Sequence, residues 1–216
     1  MSDGPGILIA LEGGEGAGKS TQARLLARWL SDRGHEVTST REPGGTAVGT
    51  AVRSILLDPA TGALSPRTEA LLYAADKAEH VDTVMLPALQ RGSVVVTDRY
   101  VDSTLAYQGA GRDLAHTDLE WLVRWATRGL RPHLTVLLDV DPCTGSDRLE
   151  GRDRLEAEPQ EFHRRVRQRF LELAADRPAA YLVLDAQAPV GQIAAAVVRR
   201  VEPLLPWPDQ MSGALR

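Results

Sequence analysis

Gly13-Gly14-Glu15-Gly16-Ala17-Gly18-Lys19-Ser20 is the stretch of this chain whose residue types and spacing speak most directly of chemistry. It fits the phosphate-loop pattern G-x-x-x-x-G-K-[ST]. Glycines let successive backbone N–H groups turn inward toward phosphate oxygens, where a side chain would block the φ > 0 conformations or the close approach. Lys19 brings a point charge able to reach β- and γ-phosphates, and the Ser20 hydroxyl is a hard oxygen donor suited to Mg²⁺. Three more clusters lie downstream. Thr40-Arg41-Glu42-Pro43-Gly44-Gly45-Thr46 makes a rigid, tight connection into a helix that carries Arg53. Val94-Val95-Val96-Thr97-Asp98-Arg99-Tyr100 sets an aspartate where phosphate-loop enzymes hold Mg²⁺, with an arginine beside it able to bridge two phosphoryl groups. Asp102 to Arg112 then gathers hydroxyl, aromatic and amide groups, as a nucleobase pocket requires.

These residues must be held by strands and helices, and the sequence alternates the two from start to end. Segments at 6–11, 35–40, 93–97, 134–139 and 181–184 read as strands. Helical stretches fall at about 19–33, 46–57, 66–91, 117–129, 142–149, 159–175 and 189–204, several opened by proline near the first turn (Pro66, Pro142, Pro159). Val/Leu runs without polar alternation suit parallel strands buried on both faces. The expected fold class is therefore α/β, a five-stranded parallel sheet flanked by helices, of the P-loop type. Ligands should sit beyond the strands' carboxyl ends, which is where the motifs fall. The 216 residues suit one domain, with a loosely held tail over about 206–216.

Composition narrows the partners. A formal net charge of −4 offers no global attraction to nucleic acid or to an anionic membrane. No apolar run approaches a membrane span, and Cys143 is the single cysteine, so neither an internal disulfide nor a thiolate metal cluster is expected. A soluble, intracellular protein is expected. Arginine far outnumbers lysine; only Lys19 and Lys77 are lysines. The first belongs to the phosphate loop and the second needs a reason of its own.

Gly13 to Ser20, Thr40 to Thr46, Asp98-Arg99-Tyr100 and Ser103 to Arg112 together closely resemble thymidylate kinases, in order and over about residues 7–200. The resemblance implies a P-loop nucleoside monophosphate kinase fold and the reaction ATP + dTMP → ADP + dTDP with Mg²⁺, by a cytoplasmic homodimer. It implies that Gly13, Gly14, Glu15, Gly16, Ala17, Gly18, Lys19, Ser20 and Thr21 hold ATP, with Ser20 and Asp98 at the metal. Glu15 would lie near the acceptor sugar or attacking phosphate, and Arg99 would clamp donor and acceptor phosphates. Arg53 would contact the acceptor phosphate region. Tyr73 stands where the family stacks an aromatic on thymine. Thr104 and Gln108 stand where the base edge is read, and Tyr107 where the deoxyribose packs. Lys77 stands where similar kinases place an arginine that donates to thymine O4; an ordinary surface pair with Asp76 is the alternative reading. The loop interior lacks arginine, so by resemblance a lid over about 148–157 supplies one: Arg154 first, then Arg148 and Arg152.

Arg164-Arg165-Val166-Arg167-Gln168-Arg169 reads as the solvated face of a helix whose other face carries Phe162, Val166 and Phe170. Two rival functions remain: a kinase for another nucleoside monophosphate such as dUMP, and a non-kinase P-loop nucleotide-binding module. A GTPase-like switch is disfavoured, because an Asn-Lys-x-Asp guanine motif cannot be built around Lys19 or Lys77.

Overall fold

The five expected strands pair side by side, all in one direction. In the computed structural model, which describes residues 6–112, 114–148 and 153–205, they form strands β1 (Ile7–Gly13), β2 (Val37–Arg41), β3 (Val94–Asp98), β4 (Leu134–Asp139) and β5 (Tyr181–Asp185). The sheet order is β2-β3-β1-β4-β5, every pair parallel. β1 sits at the centre because it is apolar on both faces. Ile7, Ile9 and Leu11 point to one side, and Leu8 and Ala10 to the other. The first side is covered by helices α1 (Lys19–Ser31) and α9 (Val190–Val201) through Leu26, Leu30, Ile193 and Val197. The second is covered by Met85, Tyr100, Leu105 and Val123. Each such burial contributes roughly 1.5–3 kcal/mol.

Between these lie α2 (Ala47–Leu57), α3 (Pro66–His80), α4 (Leu86–Gln90), α5 (Val101–Thr104), α6 (His116–Ala126), α7 (Pro142–Ser146) and α8 (Gln160–Asp176). Ser65 caps α3 by accepting from the Thr68 N–H, and Pro66 takes the first turn, as its missing donor allows. Phe162, Val166 and Phe170 form the buried face of α8, and the arginines of that helix lie outside this stripe.

Two stretches differ from the sequence expectation. The helix expected over 66–91 is interrupted by a π-helical turn at Val81–Met85, where the Leu86 N–H reaches back to the Val81 carbonyl. Pro87 explains it: proline has no N–H for the carbonyl four residues earlier and its ring crowds that carbonyl, so the helix widens. Residues 101–111 are helical too. α5 runs into a second π segment, Leu105–Gly111, which lines the candidate site with hydroxyl, aromatic and amide side chains.

Candidate active site

The motif residues converge at the carboxyl ends of β1 and β3, where chain order places neighbouring connections on opposite sides of the sheet. Gly13 (φ 138°), Gly16 (φ 66°) and Gly18 (φ 87°) have backbone angles that L side chains rarely adopt. A Cβ on Gly16 would overlap the Gly145 carbonyl, and one on Gly145 would overlap the Glu15 carbonyl, so α7 packs against the loop backbone itself. Lys19, at the first turn of α1, folds back to donate to the Gly14 carbonyl at 2.6 Å. Burial first, and the Arg99 charge second, pull Lys19 down to about 8. Thr21 follows in the same turn of α1. The Ser20 hydroxyl donates to the Asp98 carboxylate. These two oxygen ligands, meeting beside a phosphate cradle, are a donor set that suits Mg²⁺.

Arg99 is the hub. Its backbone is left-handed (φ 70°), uncommon for a non-glycine residue and worth explaining. Its Nη1 donates to the Gly13 carbonyl and to Ser103 Oγ, both at 3.0 Å, and its Nη2 donates to Glu15 Oε1 at 2.8 Å and Tyr107 Oη at 3.2 Å. One guanidinium thus ties the phosphate loop to the 101–111 helix. Glu15 also accepts from the Tyr107 hydroxyl at 2.7 Å. Burial works against ionising Glu15, yet Arg99 and then Lys19 outweigh it and hold its carboxyl at about 2. The Tyr107 ring is itself gripped edge-on by Phe170 and at a tilt by Phe162.

Beyond Arg99 opens a cleft of about 580 Å³, solvent at its mouth included, and Arg53, Tyr73, Lys77, Thr104, Tyr107 and Gln108 all line it. Thr104 Oγ1 is buried with no hydrogen-bond partner. An unpaired buried hydroxyl costs about 1–3 kcal/mol, an arrangement that a ligand's polar edge would relieve. Gln108 Nε2 donates to Glu69 at 3.0 Å. Arg53 donates to the Pro43 carbonyl at 3.0 Å beside Gly44 (φ 108°).

Lys77 is not a surface residue. It is 1% exposed, its Nζ lies 2.8 Å from Glu42 Oε2, and it sits 5.7 Å from the Tyr73 ring centroid. The alternative of a surface pair with Asp76 is therefore corrected: Asp76 is buried and accepts the Gly44 N–H at 3.0 Å. The physical reason is helix geometry. Neighbouring residues point about 100° apart on a helix, so Asp76 and Lys77 reach different groups of the 42–46 connection. Glu42 is clamped a second time by His80 Nδ1 at 2.9 Å, and His80 Nε2 meets Thr40 Oγ1 at 2.6 Å.

Two lid arginines lie among the described residues and part ways. Arg148 donates to the Gly16 carbonyl at 3.1 Å, on the phosphate loop. Arg154, favoured from the sequence as the lid arginine that reaches the transferring phosphoryl group, is engaged with α2 and α3. Its Nε donates to the Leu56 carbonyl at 2.7 Å and its Nη2 to Glu69 Oε2 at 2.5 Å. Glu69, fully buried, has enough paired charge (Arg112 as well) to retain it there. Arg152 lies outside the described residues, as does the tail from 206.

Two buried acids escaped the sequence reading. Glu69 is one. Glu12 is the other, 1% exposed, accepting the Tyr100 and Ser103 N–H groups at 2.8 and 3.1 Å and the Ser103 hydroxyl at 2.6 Å. Burial, reinforced by the Asp102 carboxylate, pushes Glu12 up to about 7. The available signal was an acid within an otherwise apolar strand.

This geometry has relatives. The family model described as thymidylate kinase matches residues 11–197. The chain belongs to the thymidylate kinase family. It is 55% identical over 200 residues to the thymidylate kinase of Cutibacterium acnes, covering 93% of this chain and 98% of that one. To the thymidylate kinase of Clavibacter michiganensis subsp. michiganensis it is 53% identical over 204 residues, covering 93% and 96%. A solved thymidylate kinase from Ehrlichia chaffeensis superposes with a TM-score of 0.77 at 28% identity, over 92% of this chain and 100% of that one. The five-stranded parallel sheet with its phosphate loop is thus the nucleoside monophosphate kinase fold of that family.

Proposed function

We propose that the protein transfers the γ-phosphoryl group of ATP to the phosphate of dTMP, giving ADP and dTDP. The observation that carries this reading is the Arg99 guanidinium, pinned between the phosphate loop and the cleft that Tyr107 and Thr104 line. A cation at that junction can neutralise both phosphates as they approach, and phosphoryl transfer depends chiefly on such positioning and charge.

In this reading the nine residues Gly13 to Thr21 cradle ATP, with Lys19 leaving the Gly14 carbonyl for phosphate oxygens. Ser20 and Asp98 would hold Mg²⁺, which when bound shields phosphate charge. Arg53 and Arg99 take the acceptor phosphate, and Glu15 orients Arg99 and the acceptor. Tyr73 stacks on thymine and Tyr107 packs the deoxyribose. Lys77 spends one donor on Glu42 and, as an ammonium with three donors, keeps others for O4. Thr104 and Gln108 complete the edge. An acceptor at position 4 distinguishes thymine from cytosine, which donates there. Arg148 is already at the donor loop; Arg154 acts there only if it exchanges Glu69 for phosphate.

The acting species is a homodimer in the cytoplasm, where ATP and dTMP are both supplied. Exposed apolar residues on three helices support the dimer: Val48 and Ile55 on α2, Leu71 on α3, and the stacked Trp121 and Trp125 on α6, with α3 touching both neighbours. No helix of the described residues is long and apolar enough to cross a membrane.

ADP release measured with dTMP, dUMP, UMP, dCMP and dGMP as acceptors tests the proposal. dTMP should give the highest kcat/KM and dCMP among the lowest. Equal rates with all five, or none with dTMP, would refute it.

A further inference from the structure

Ser103 has a single hydroxyl hydrogen, and its two neighbours decide where it points. Its Oγ lies 3.0 Å from Arg99 Nη1 and 2.6 Å from Glu12 Oε2. A guanidinium has no acceptor, so Arg99 must donate to Oγ, and the hydroxyl hydrogen goes to Glu12 Oε2 when that carboxyl is ionised. The other oxygen of Glu12 takes the backbone N–H groups of Tyr100 and Ser103. Glu12 thus spends both oxygens on the turn that directly follows Arg99. That turn begins from a left-handed Arg99 backbone, a conformation that surroundings must enforce. A buried carboxylate is expensive to keep, and an apolar residue would fill the strand position without that penalty.

We propose that Glu12 is a positioning residue for phosphoryl transfer: it fixes the 100–103 turn and aligns the Ser103 hydroxyl so that the Arg99 guanidinium is held facing the transferring group. The inference rests on the reading of Arg99 given above. It gives the last polar side chain of β1 a role at the chemistry without contact to either nucleotide.

Steady-state kinetics on Glu12→Gln, Ser103→Ala, Arg99→Ala and the double variant Glu12→Gln/Arg99→Ala test it, with far-UV circular dichroism melts confirming a folded protein. An amide at position 12 keeps one acceptor oxygen but puts a donor where the second carboxylate oxygen accepted, so Glu12→Gln should lower kcat about 10- to 100-fold while KM for ATP and dTMP moves less than about threefold. In the Arg99→Ala background the same change should cost less than about threefold, because the group it positions is gone. Wild-type kcat in folded Glu12→Gln, or an equal loss in both backgrounds, overturns the proposal. Should Glu12→Gln fail to fold, Ser103→Ala decides. A lowered kcat with unchanged KM supports the alignment, and wild-type kcat overturns it. Unimpaired Arg99→Ala would overturn the reading of Arg99 and the inference with it, whereas impaired Arg99→Ala beside unimpaired Glu12→Gln overturns the inference alone.

Discussion

Arg99 meets four groups with two nitrogens, and a guanidinium so crowded is braced, not mobile. Removing it should lower kcat by about 10²–10³-fold, the range for losing one preorganised charge-stabilising donor, as rapid-quench turnover with ATP and dTMP would read. Glu15 is its counter-charge, and the pair carries a pH signature. The Glu15 carboxyl is held at about 2 against an ordinary value of 4.5, so the folded state favours the ionised form. Its stabilisation is fully present above pH 4.5 and is lost as pH falls toward 2. Wild type should exceed Glu15→Gln by about 1–3 kcal/mol in urea unfolding at about pH 7, and the gap should close by about pH 2. At this scale the sequence exposed residues that belong to a motif, such as Lys19, Arg99 and Tyr107. It hid Glu12 and Glu69, whose partners lie 88–91 and 39–85 residues away and share no local pattern with them.

Elements carry the site by contact with one another. α3 braces the 42–46 connection with three side chains: Lys77 and His80 hold the two oxygens of Glu42, and Asp76 accepts from the Gly44 N–H. Truncating Lys77 leaves Glu42 buried without its cation. Lys77→Ala should therefore destabilise by about 3–5 kcal/mol in urea unfolding, well beyond a surface substitution. α7 presses on the phosphate loop at Gly145, where an added methyl meets the Glu15 carbonyl. Overpacking of that kind costs about 1–3 kcal/mol, so Gly145→Ala should raise KM for ATP about tenfold while KM for dTMP changes less. The three inner strands and most helices were legible because burial on both faces and proline at first turns are local signals. The π turn at Val81–Met85 and the helix over 101–111 were not. In the first, an apolar helical pattern passes unbroken through Pro87. In the second, residues such as Ser103, Gln108 and Gly109 read as a pocket loop, and only packing against α8 and α6 makes them helical.

On the scale of the whole molecule, a central parallel sheet places the phosphate loop, the metal-suited pair Ser20 and Asp98, and the cleft beyond Arg99 at the carboxyl ends of its strands. The exposed tryptophans of α6 belong to this scale too. If they meet a second copy, Trp121→Arg/Trp125→Arg should sediment as a 23.4 kDa monomer where the wild type sediments at twice that mass. The central step is direct transfer between two bound nucleotides, which ATP labelled at the γ-phosphorus would reveal. Incubated with the protein, Mg²⁺ and dTMP, the label should pass into the β-phosphate of dTDP at the rate ADP forms, with little free phosphate. Label released as inorganic phosphate, with none in dTDP, would contradict direct transfer.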